Sequence, residues 1–215
     1  MIKIENVDVY GWKTALRGMR NPMNSWRKND TKEVKAENNY TLQIGYDDLN
    51  LAITLCKAGR EHRKFLRQVY VSFDITAPLY WWKEFDTYKI GVTSNSCSTM
   101  HKLHEKEIED TDFSCEWLTN LDNAYIDFLR YLECVENTRK KYVETKSKDY
   151  WDALIQMLPS SYNQKRTIMC NMEALLTMVM QRRNHKLREW NTFCKKMKEN
   201  VPLLLDIVEA VENEK

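Results

Sequence analysis

A basic cluster just after a glycine contains the residues best suited to bind an anion. Arg60, Arg63, Lys64 and Arg67 closely follow Gly59. On a helix, Arg60, Lys64 and Arg67 would share one face, and guanidinium groups bind phosphate through paired hydrogen bonds. The cluster therefore indicates either a phosphate clamp or an ordinary solvated basic face.

A dense aromatic run is the second candidate for chemistry. It follows Pro78 and consists of Tyr80, Trp81, Trp82, Phe85 and Tyr88. Such rings stack on a nucleotide base or a flavin, but aromatic residues at helical spacing are also typical of a packed core. Both interpretations stay open at this point.

Metal-binding and nucleophilic motifs are weak or absent. His101 and His104, followed by Glu105 and Glu107, offer possible ligands. The spacing is loose and no third histidine lies near, so an exposed polar helix is the better interpretation and we expect no metal site. The sequence also contains no glycine-rich phosphate loop and no serine nucleophile elbow. Any phosphate must therefore be held by side chains.

Composition limits the class of protein. The chain has 215 residues, 43% hydrophobic and 30% charged, with only 5 Gly and 4 Pro. This predicts one domain over residues 1–215 and disfavours both disorder and a turn-rich all-β sandwich. The net charge of +2 gives no field for a nucleic-acid polymer or an anionic membrane.

The cysteines and the hydropathy pattern bear on location. Six cysteines are scattered without a C-x-x-C pair, and no signal-peptide pattern precedes them. No run approaches the roughly 18 apolar residues that a membrane span needs. We therefore expect free thiols, no membrane partner and a cytoplasmic location.

The first half of the chain mixes strands and helices. Alternation predicts a strand in residues 1–12, interrupted near Glu5 and Asn6, and a second strand over residues 69–76. The polar segment 20–42 is typical of a solvated loop, with a mobile loop over a site as the alternative. The helices predicted here are one capped by Asp47 or Asp48 and stopped by Gly59, and one starting at Pro78.

The second half is predicted to be helical. A helical stripe, either core or subunit interface, consists of Leu118, Leu121, Tyr125, Phe128, Leu132 and Val135. Further helices are predicted from residue 149 to Pro159, from about Arg166 to Met197, and from Pro202 with Asn200 as its cap. The residues predicted to be buried on the second of these helices are Ile168, Met172, Leu175, Leu176 and Val179. The fold class is α+β, with a small antiparallel sheet flanked by several helices.

Four stretches, in order and near family spacing, resemble the flavin-dependent thymidylate synthases. LNLAITLCKAG is similar to the family's helix before a G-H-x-S turn, and VYVSFDITAP to its F-x-I-x-A-P strand. LYWWKEFDTYK with NSCSTMH lies where the family has R-Q-W-x-R-H-R and S-x-N-E-x-S-x-R. The segment MLPSSYNQKRTIMCNMEALLTMVMQRR resembles its A-R-x-x-L-P, N-L-R and L-R motifs. Together they cover most of residues 46–200.

The resemblance implies site residues position by position. Cofactor-binding positions, on the G-H-x-S turn and the R-H-R segment, are occupied by Arg60, His62, Lys83, Tyr88 and Lys89. Nucleotide-binding positions are occupied by Asn95, Ser98 and Arg182.

Outside the R-H-R triplet, three family arginines are replaced by residues without a positive charge, namely Met100, Ile155 and Glu173. Within the triplet only Lys89 keeps a charge. A charge-assisted pair contributes about 1.5 to 3 kcal/mol, so two such losses would weaken phosphate binding by about a hundredfold or more.

The resemblance implies a function and an assembly. FAD and a pyrimidine nucleotide would be bound, and NADPH and methylenetetrahydrofolate would take part if deoxyuridylate or a related nucleotide is methylated. Family members are tetramers with sites between subunits, which implies a homo-oligomer. The alternative is a non-catalytic module that binds or sequesters a nucleotide on the same scaffold.

Overall fold

The computed structural model describes residues 2–36 and 39–212. Among them the strands are β1 (Lys3–Tyr10), β2 (Lys32–Ala36), β3 (Asn39–Gln43), β4 (Tyr70–Pro78), β5 (Val92–Ser96) and β6 (Asn163–Asn171). The α-helices are α1 (Trp12–Gly18), α2 (Tyr46–Lys57), α3 (Leu79–Phe85), α4 (Thr99–Lys102), α5 (Ala124–Thr145), α6 (Lys148–Met157), α7 (Met172–Arg182), α8 (Arg188–Asn200) and α9 (Leu204–Glu212). Short 3-10 helices cover Asn21–Met23, Trp26–Lys28, Lys64–Gln68, Asp110–Asp112 and Leu118–Asn120.

The larger sheet has four strands in the order β1-β4-β6-β5. Antiparallel pairing of β4 with β6 follows from the bonds at their ends: the Leu79 amide donates to the Tyr162 carbonyl at 3.0 Å, and the Met172 amide donates to the Val69 carbonyl at 2.8 Å. The small antiparallel sheet and the α+β class predicted from the sequence are confirmed.

The strand predicted over residues 69–76 is confirmed as β4. Val71, Phe73, Ile75 and Ala77 are fully buried, and the residues between them are partly exposed. This alternation follows from the two-residue period of a strand with one face on the core. The predicted strand at the amino terminus is also confirmed as β1, with Asn6 at φ 52° at the interruption.

Two compact units divide the chain. The first comprises Met1–Ile4, Asp74–Thr87 and Ser94–Thr167; the second comprises Glu5–Phe73, Tyr88–Thr93 and Ile168–Lys215. The single domain over residues 1–215 stays a prediction.

The first unit has aromatic and aliphatic cores. Trp81, Trp82 and Phe85 of α3 are buried, and their rings lie 5.0 to 5.3 Å apart. Of the two interpretations of the aromatic run, the structure shows a packed core for these three rings. A second cluster consists of Leu103, Ile108, Phe113, Leu132, Val135 and Leu154. The carboxyl-terminal half of the stripe predicted from Leu118 to Val135 therefore packs within the chain, whereas Leu121 is 57% exposed.

The core of the second unit lies around α7 and α8. Phe193 of α8 contacts both Phe73 and Trp190, with ring centroids 5.9 and 5.5 Å apart. The residues predicted to be buried in the carboxyl-terminal half are buried in the structure: Ile168, Met172, Leu175, Leu176 and Val179.

Two predictions about elements in the second half were wrong. The helix predicted from Arg166 to Met197 is instead β6, α7 and α8, because residues up to Asn171 pair with β4 and β5. Asn200 does not cap the last helix. It ends α8, and α9 begins at Leu204 after Leu203, whose φ is 65°.

Two predictions in the first half also need correction. Residues 37 and 38 of the predicted loop 20–42 lie outside the described residues, and much of the rest forms an antiparallel hairpin in which Val34 of β2 pairs with Thr41 of β3. The N-cap of α2 is Gly45 rather than Asp47 or Asp48, and the carboxylate of Asp30 accepts the backbone amides of Asp47 and Asp48 in the first turn. The helix does end at Lys57, with Gly59 at φ 105° as expected of a stop residue.

No helix among the described residues is long and apolar enough to span a membrane.

Candidate functional site

A cavity of about 500 Å³ in the second unit is the first component of the candidate site. Its apolar walls include Met19, Leu51, Leu55 and Phe65. Small-molecule sites typically have volumes of about 300 to 1,000 Å³ and are mainly apolar with a few polar groups. The cavity is therefore large enough for a ring system of a cofactor.

The polar rim of this cavity carries basic groups. His62 and Lys64 line it beside Glu61, and the side chains of all three are exposed. Asn21 and Ser25 line it from the segment that follows α1. Part of segment 20–42, for which a loop over a site was the alternative prediction, thus borders a cavity.

A buried polar network anchors that segment to α2. Asp48 is completely buried and accepts from Arg20 Nε at 2.6 Å, from Asn29 Nδ2 at 2.7 Å and from the Thr31 amide at 3.0 Å. Burial of a carboxylate requires such partners. The network fixes both ends of the segment that contains Asn21 and Ser25.

The turn after α2 is the second component. Gly59 has a positive φ, and its carbonyl accepts from the amides of His62 and Arg63 at 3.1 and 3.2 Å. This tight turn places Arg60 and Arg63 against the first turn of α7. The basic segment does not form the continuous helix face that the spacing suggested, because a turn and a 3-10 helix replace it.

Glu173 is the partner of both arginines. Arg63 Nη2 donates to Glu173 Oε1 at 3.1 Å, and Arg63 Nε lies 2.9 Å from Oε2. Arg60 Nε lies 3.6 Å from Glu173 Oε1. The carboxylate is nearly buried in the first turn of α7, where the helix dipole favours a negative charge.

Cys56 lies in the electrostatic field of this ion pair. Burial is the main cause that raises the pKa of its thiol to about 12, while Arg63 lowers it and Glu173 raises it. The thiol is therefore protonated at neutral pH and does not act as a thiolate nucleophile.

The third component joins Tyr88, Arg182 and Trp190. Arg182 Nε donates to the Tyr88 hydroxyl oxygen at 2.9 Å, and that hydroxyl donates to Gln181 Oε1 at 3.0 Å. The Arg182 guanidinium lies 5.0 Å from the Trp190 ring and 5.6 Å from the Tyr88 ring. The rings and the hydroxyl hold a cation in a half-buried position.

The other predicted site residues are mostly exposed. Lys83 lies on α3, Lys89 follows Tyr88, and Asn95 lies on β5, all with exposed side chains. Ser98 caps α4, since its hydroxyl oxygen accepts from the His101 amide at 3.2 Å. The structure brings Tyr88 and Arg182 into contact and puts Arg60 and His62 in one turn; Lys83, Asn95 and Ser98 belong to the first unit.

Two of the replaced positions differ in environment. Met100 is 52% exposed, whereas Ile155 packs against the hydrophobic cluster that contains Leu132 and Leu154. Ile155 is only partly buried, and an arginine in its place would lose part of this apolar packing. Ile155 therefore has a role in packing.

The histidines proposed as weak metal ligands lie in different surroundings. His101 is exposed on α4, and the His104 ring packs edge-on against Tyr142 and Trp151 at 5.2 and 5.7 Å. Across residues 2–36 and 39–212, no group of three or more His, Cys, Asp or Glu side chains is placed to hold a metal ion.

Comparison with known proteins gives matches by structure rather than by sequence. No family model and no curated protein matches the chain. A solved flavin-dependent thymidylate synthase, ThyX from Helicobacter pylori, complexed with FAD and dUMP, superposes with a TM-score of 0.71 at 18% identity. The alignment covers 98% of this chain and 98% of that chain.

A UMP/dUMP methylase, PolB from Streptomyces cacaoi bound with 5-Br dUMP, is also similar. Its TM-score is 0.69 at 14% identity, covering 99% of this chain and 95% of that one. The chain has the fold of the flavin-dependent thymidylate synthases. The resemblance drawn from the four sequence stretches is thus confirmed for the fold.

Two contacts in this chain were not predicted from the sequence. The Arg63–Glu173 pair joins residues 110 positions apart, and the Asp48 network joins α2 to Arg20 and Asn29. The unusual acidic residue at a family arginine position drew attention to Glu173 but did not indicate its partner. The local sequence indicated only a helix cap for Asp48 and no buried network.

Proposed function

We propose that this chain is a divergent flavin-dependent thymidylate synthase-like protein that binds FAD and a pyrimidine nucleotide. The observation that carries the proposal is the contact between Arg182 and Tyr88 at 2.9 Å. The resemblance implied nucleotide binding for Arg182 and cofactor binding for Tyr88, and the chain places these two side chains side by side. The methyl acceptor would be deoxyuridylate or a related nucleotide.

Two features of the second unit support binding of a flavin dinucleotide. The cavity of about 500 Å³ offers apolar walls for a ring, Lys64 offers positive charge for phosphate groups, and His62 offers a ring nitrogen for a hydrogen bond. Arg60, Tyr88 and Lys89 of the same unit would complete this set of cofactor contacts, and the cofactor role of Lys83 stays an expectation from the resemblance. FAD, when bound, would supply the redox and one-carbon chemistry with NADPH and methylenetetrahydrofolate.

The protein's own contribution would be to bind, orient and exclude water. Arg182 would neutralise an anionic group of the nucleotide, because its guanidinium is held by Tyr88 and Trp190. Nucleotide binding by Asn95 and Ser98 stays an expectation from the resemblance. A homotetramer in the cytoplasm stays a prediction.

A non-catalytic nucleotide-binding or sequestering module is the second candidate. The packing of Ile155 in a hydrophobic cluster favours it, because this position offers no charge to a phosphate. Glu173 adds a negative charge where a cation would help. Both differences weaken phosphate binding without removing the cavity or the Arg182 cluster.

Absorbance of the purified protein and nucleotide binding test the proposal together. We expect a flavin band in the purified chain or after adding FAD, and a rise in melting temperature with dUMP or UMP that dCMP does not give. A colourless protein that takes up FAD neither alone nor with dUMP would contradict the flavin assignment. Binding of dUMP by such a protein would favour the non-catalytic module.

A further inference from the structure

In the second unit, a cluster of two cationic side chains and one anionic side chain carries a net positive charge. Arg60 and Arg63 both lie against the single carboxylate of Glu173, at 3.6 and 2.9 Å. Two guanidinium groups against one carboxylate leave an excess of one positive charge. This excess lies next to the tight turn at Gly59.

The two arginines are held very differently. The Arg63 side chain is 11% exposed and both donates to and pairs with Glu173, so removing it from the carboxylate would leave two charges nearly buried. The Arg60 side chain is 68% exposed and has one ion contact at a distance longer than a hydrogen bond. Exposed ion pairs of this kind contribute little to stability, so Arg60 can leave Glu173 at small cost.

Glu173 cannot follow Arg60 outward. It lies in the first turn of α7, where Asn171 Oδ1 caps the helix by accepting the Ala174 amide at 2.8 Å. Its carboxylate also stays with Arg63. The carboxylate is therefore a fixed internal anion, and Arg60 is the mobile cation beside it.

We propose that Arg60 binds a phosphate group of the ligand by exchanging its contact with Glu173 for the phosphate, while Arg63 keeps Glu173 in place. The inference rests on the proposed function for the nucleotide nature of the ligand. Glu173 acts as a positioning residue and as a competing anion for Arg60. The charge that binds phosphate thus comes from the turn after α2 rather than from α7.

A phosphate group suits this exchange better than a carboxylate does. A guanidinium binds phosphate through two parallel hydrogen bonds, and a phosphate at neutral pH carries more charge than Glu173. A monovalent carboxylate ligand would only match the internal anion already present. The nearby exposed Lys64 adds positive charge from the following 3-10 helix.

Inorganic pyrophosphate is the probe, titrated calorimetrically into the full chain and its variants. Arg60→Gln should weaken binding about tenfold or more, because it removes a charge-assisted pair. Glu173→Gln should tighten binding about threefold or more, since the amide still accepts from Arg63 but no longer competes as an anion. Arg130→Gln is the matched control, because Arg130 is also an exposed arginine with one acidic partner, and the affinity of this variant should stay within about twofold.

A purely structural role for the cluster gives a different pattern. Arg60→Gln binding pyrophosphate as tightly as the wild type would overturn the inference, as would a folded Glu173→Gln variant that binds more weakly. The Arg60→Gln arm decides even if Glu173→Gln does not fold, because Arg60 is largely exposed. The test needs neither flavin nor deoxyuridylate, so its failure is distinguishable from failure of the proposed function.

Discussion

The Arg182 guanidinium donates to the Tyr88 hydroxyl oxygen across 94 positions of sequence, at 2.9 Å. The ring of Trp190, on α8, lies 5.0 Å from the same guanidinium. Because the cation is held by rings and a hydroxyl, it is positioned before any ligand arrives. Preorganisation of this kind lowers the cost of binding.

Substitution of Arg182 should therefore reduce nucleotide affinity. Arg182→Ala removes a charge-assisted contact, and we expect dUMP binding to weaken by about 1.5 kcal/mol or more. Calorimetric titration of dUMP measures the loss.

Arg183 is the control for this prediction. The structure pairs Arg183 with Glu212. Arg183→Ala should still change dUMP affinity by no more than about 0.5 kcal/mol. Equal effects of the two substitutions would contradict the assignment of Arg182.

The anchor of the cavity wall gives a prediction about stability. Asp48→Ala leaves Arg20 nearly buried without its carboxylate, and we expect the free energy of unfolding to fall by about 3 kcal/mol or more. Urea denaturation followed by circular dichroism measures the change. The neighbouring exposed Asp47 is the control, since Asp47→Ala should cost within about 0.5 kcal/mol. Two equal values would mean that the buried network does not hold the segment.

Glu136 gives a prediction about pH. Burial opposes its ionisation, but bonds from Arg139 at 2.7 Å and from the Ile108 amide at 3.0 Å outweigh burial and lower the pKa of the carboxyl below 4.5. A lowered pKa in the folded state means that the ionised carboxylate stabilises the fold above pH 4.5. That contribution is lost as the pH falls through the folded-state pKa.

The measurement compares Glu136→Gln with the wild type across the acid range. The variant should be less stable at neutral pH, and the difference in unfolding free energy should shrink as the pH falls below about 4.5. Exposed Glu133 on the same helix is the control, because Glu133→Gln should show no such trend. A difference that stays constant with pH would show that Glu136 is not the group that titrates.

Complementation tests the reaction itself. Met100 and Ile155 stand at two positions where the resemblance places phosphate-binding arginines, and neither side chain donates a hydrogen bond to an anion. We expect the chain not to rescue a thymidine-requiring strain that lacks its synthase, with a thymidylate synthase carrying an intact R-H-R triplet as the control. Growth without thymidine that Arg182→Ala abolishes would establish the enzyme instead of the module.

Local pattern predicted β4 because its alternation is long and one face is buried. The same reasoning failed over residues 163–171, since Ile168 and Met172 have a spacing that suits a helix as well as a strand. Pairing with β4 and β5 decides the outcome there, and such pairing joins residues far apart in sequence. Helical periodicity and strand pairing bury the same apolar residues, which is why the core was predicted better than the elements.

The candidate site was predicted in part for the same reason. The sequence stretches that resemble the family identified Arg182 and Tyr88, and the structure joins them. The Arg63–Glu173 pair and the Asp48 network arise from tertiary contacts that no local pattern encodes. A charged residue such as Glu173 does not indicate its partner in the sequence, because the fold brings the second charge beside it.

Calorimetric melting of the purified chain with FAD tests the central claim most directly. At about 100 times its dissociation constant a bound ligand adds about 2.7 kcal/mol to stability, so FAD should raise the melting temperature in a concentration-dependent way. Riboflavin, which lacks the phosphate groups, should give a smaller shift at the same concentration. A melting temperature that does not change with millimolar FAD would contradict the account.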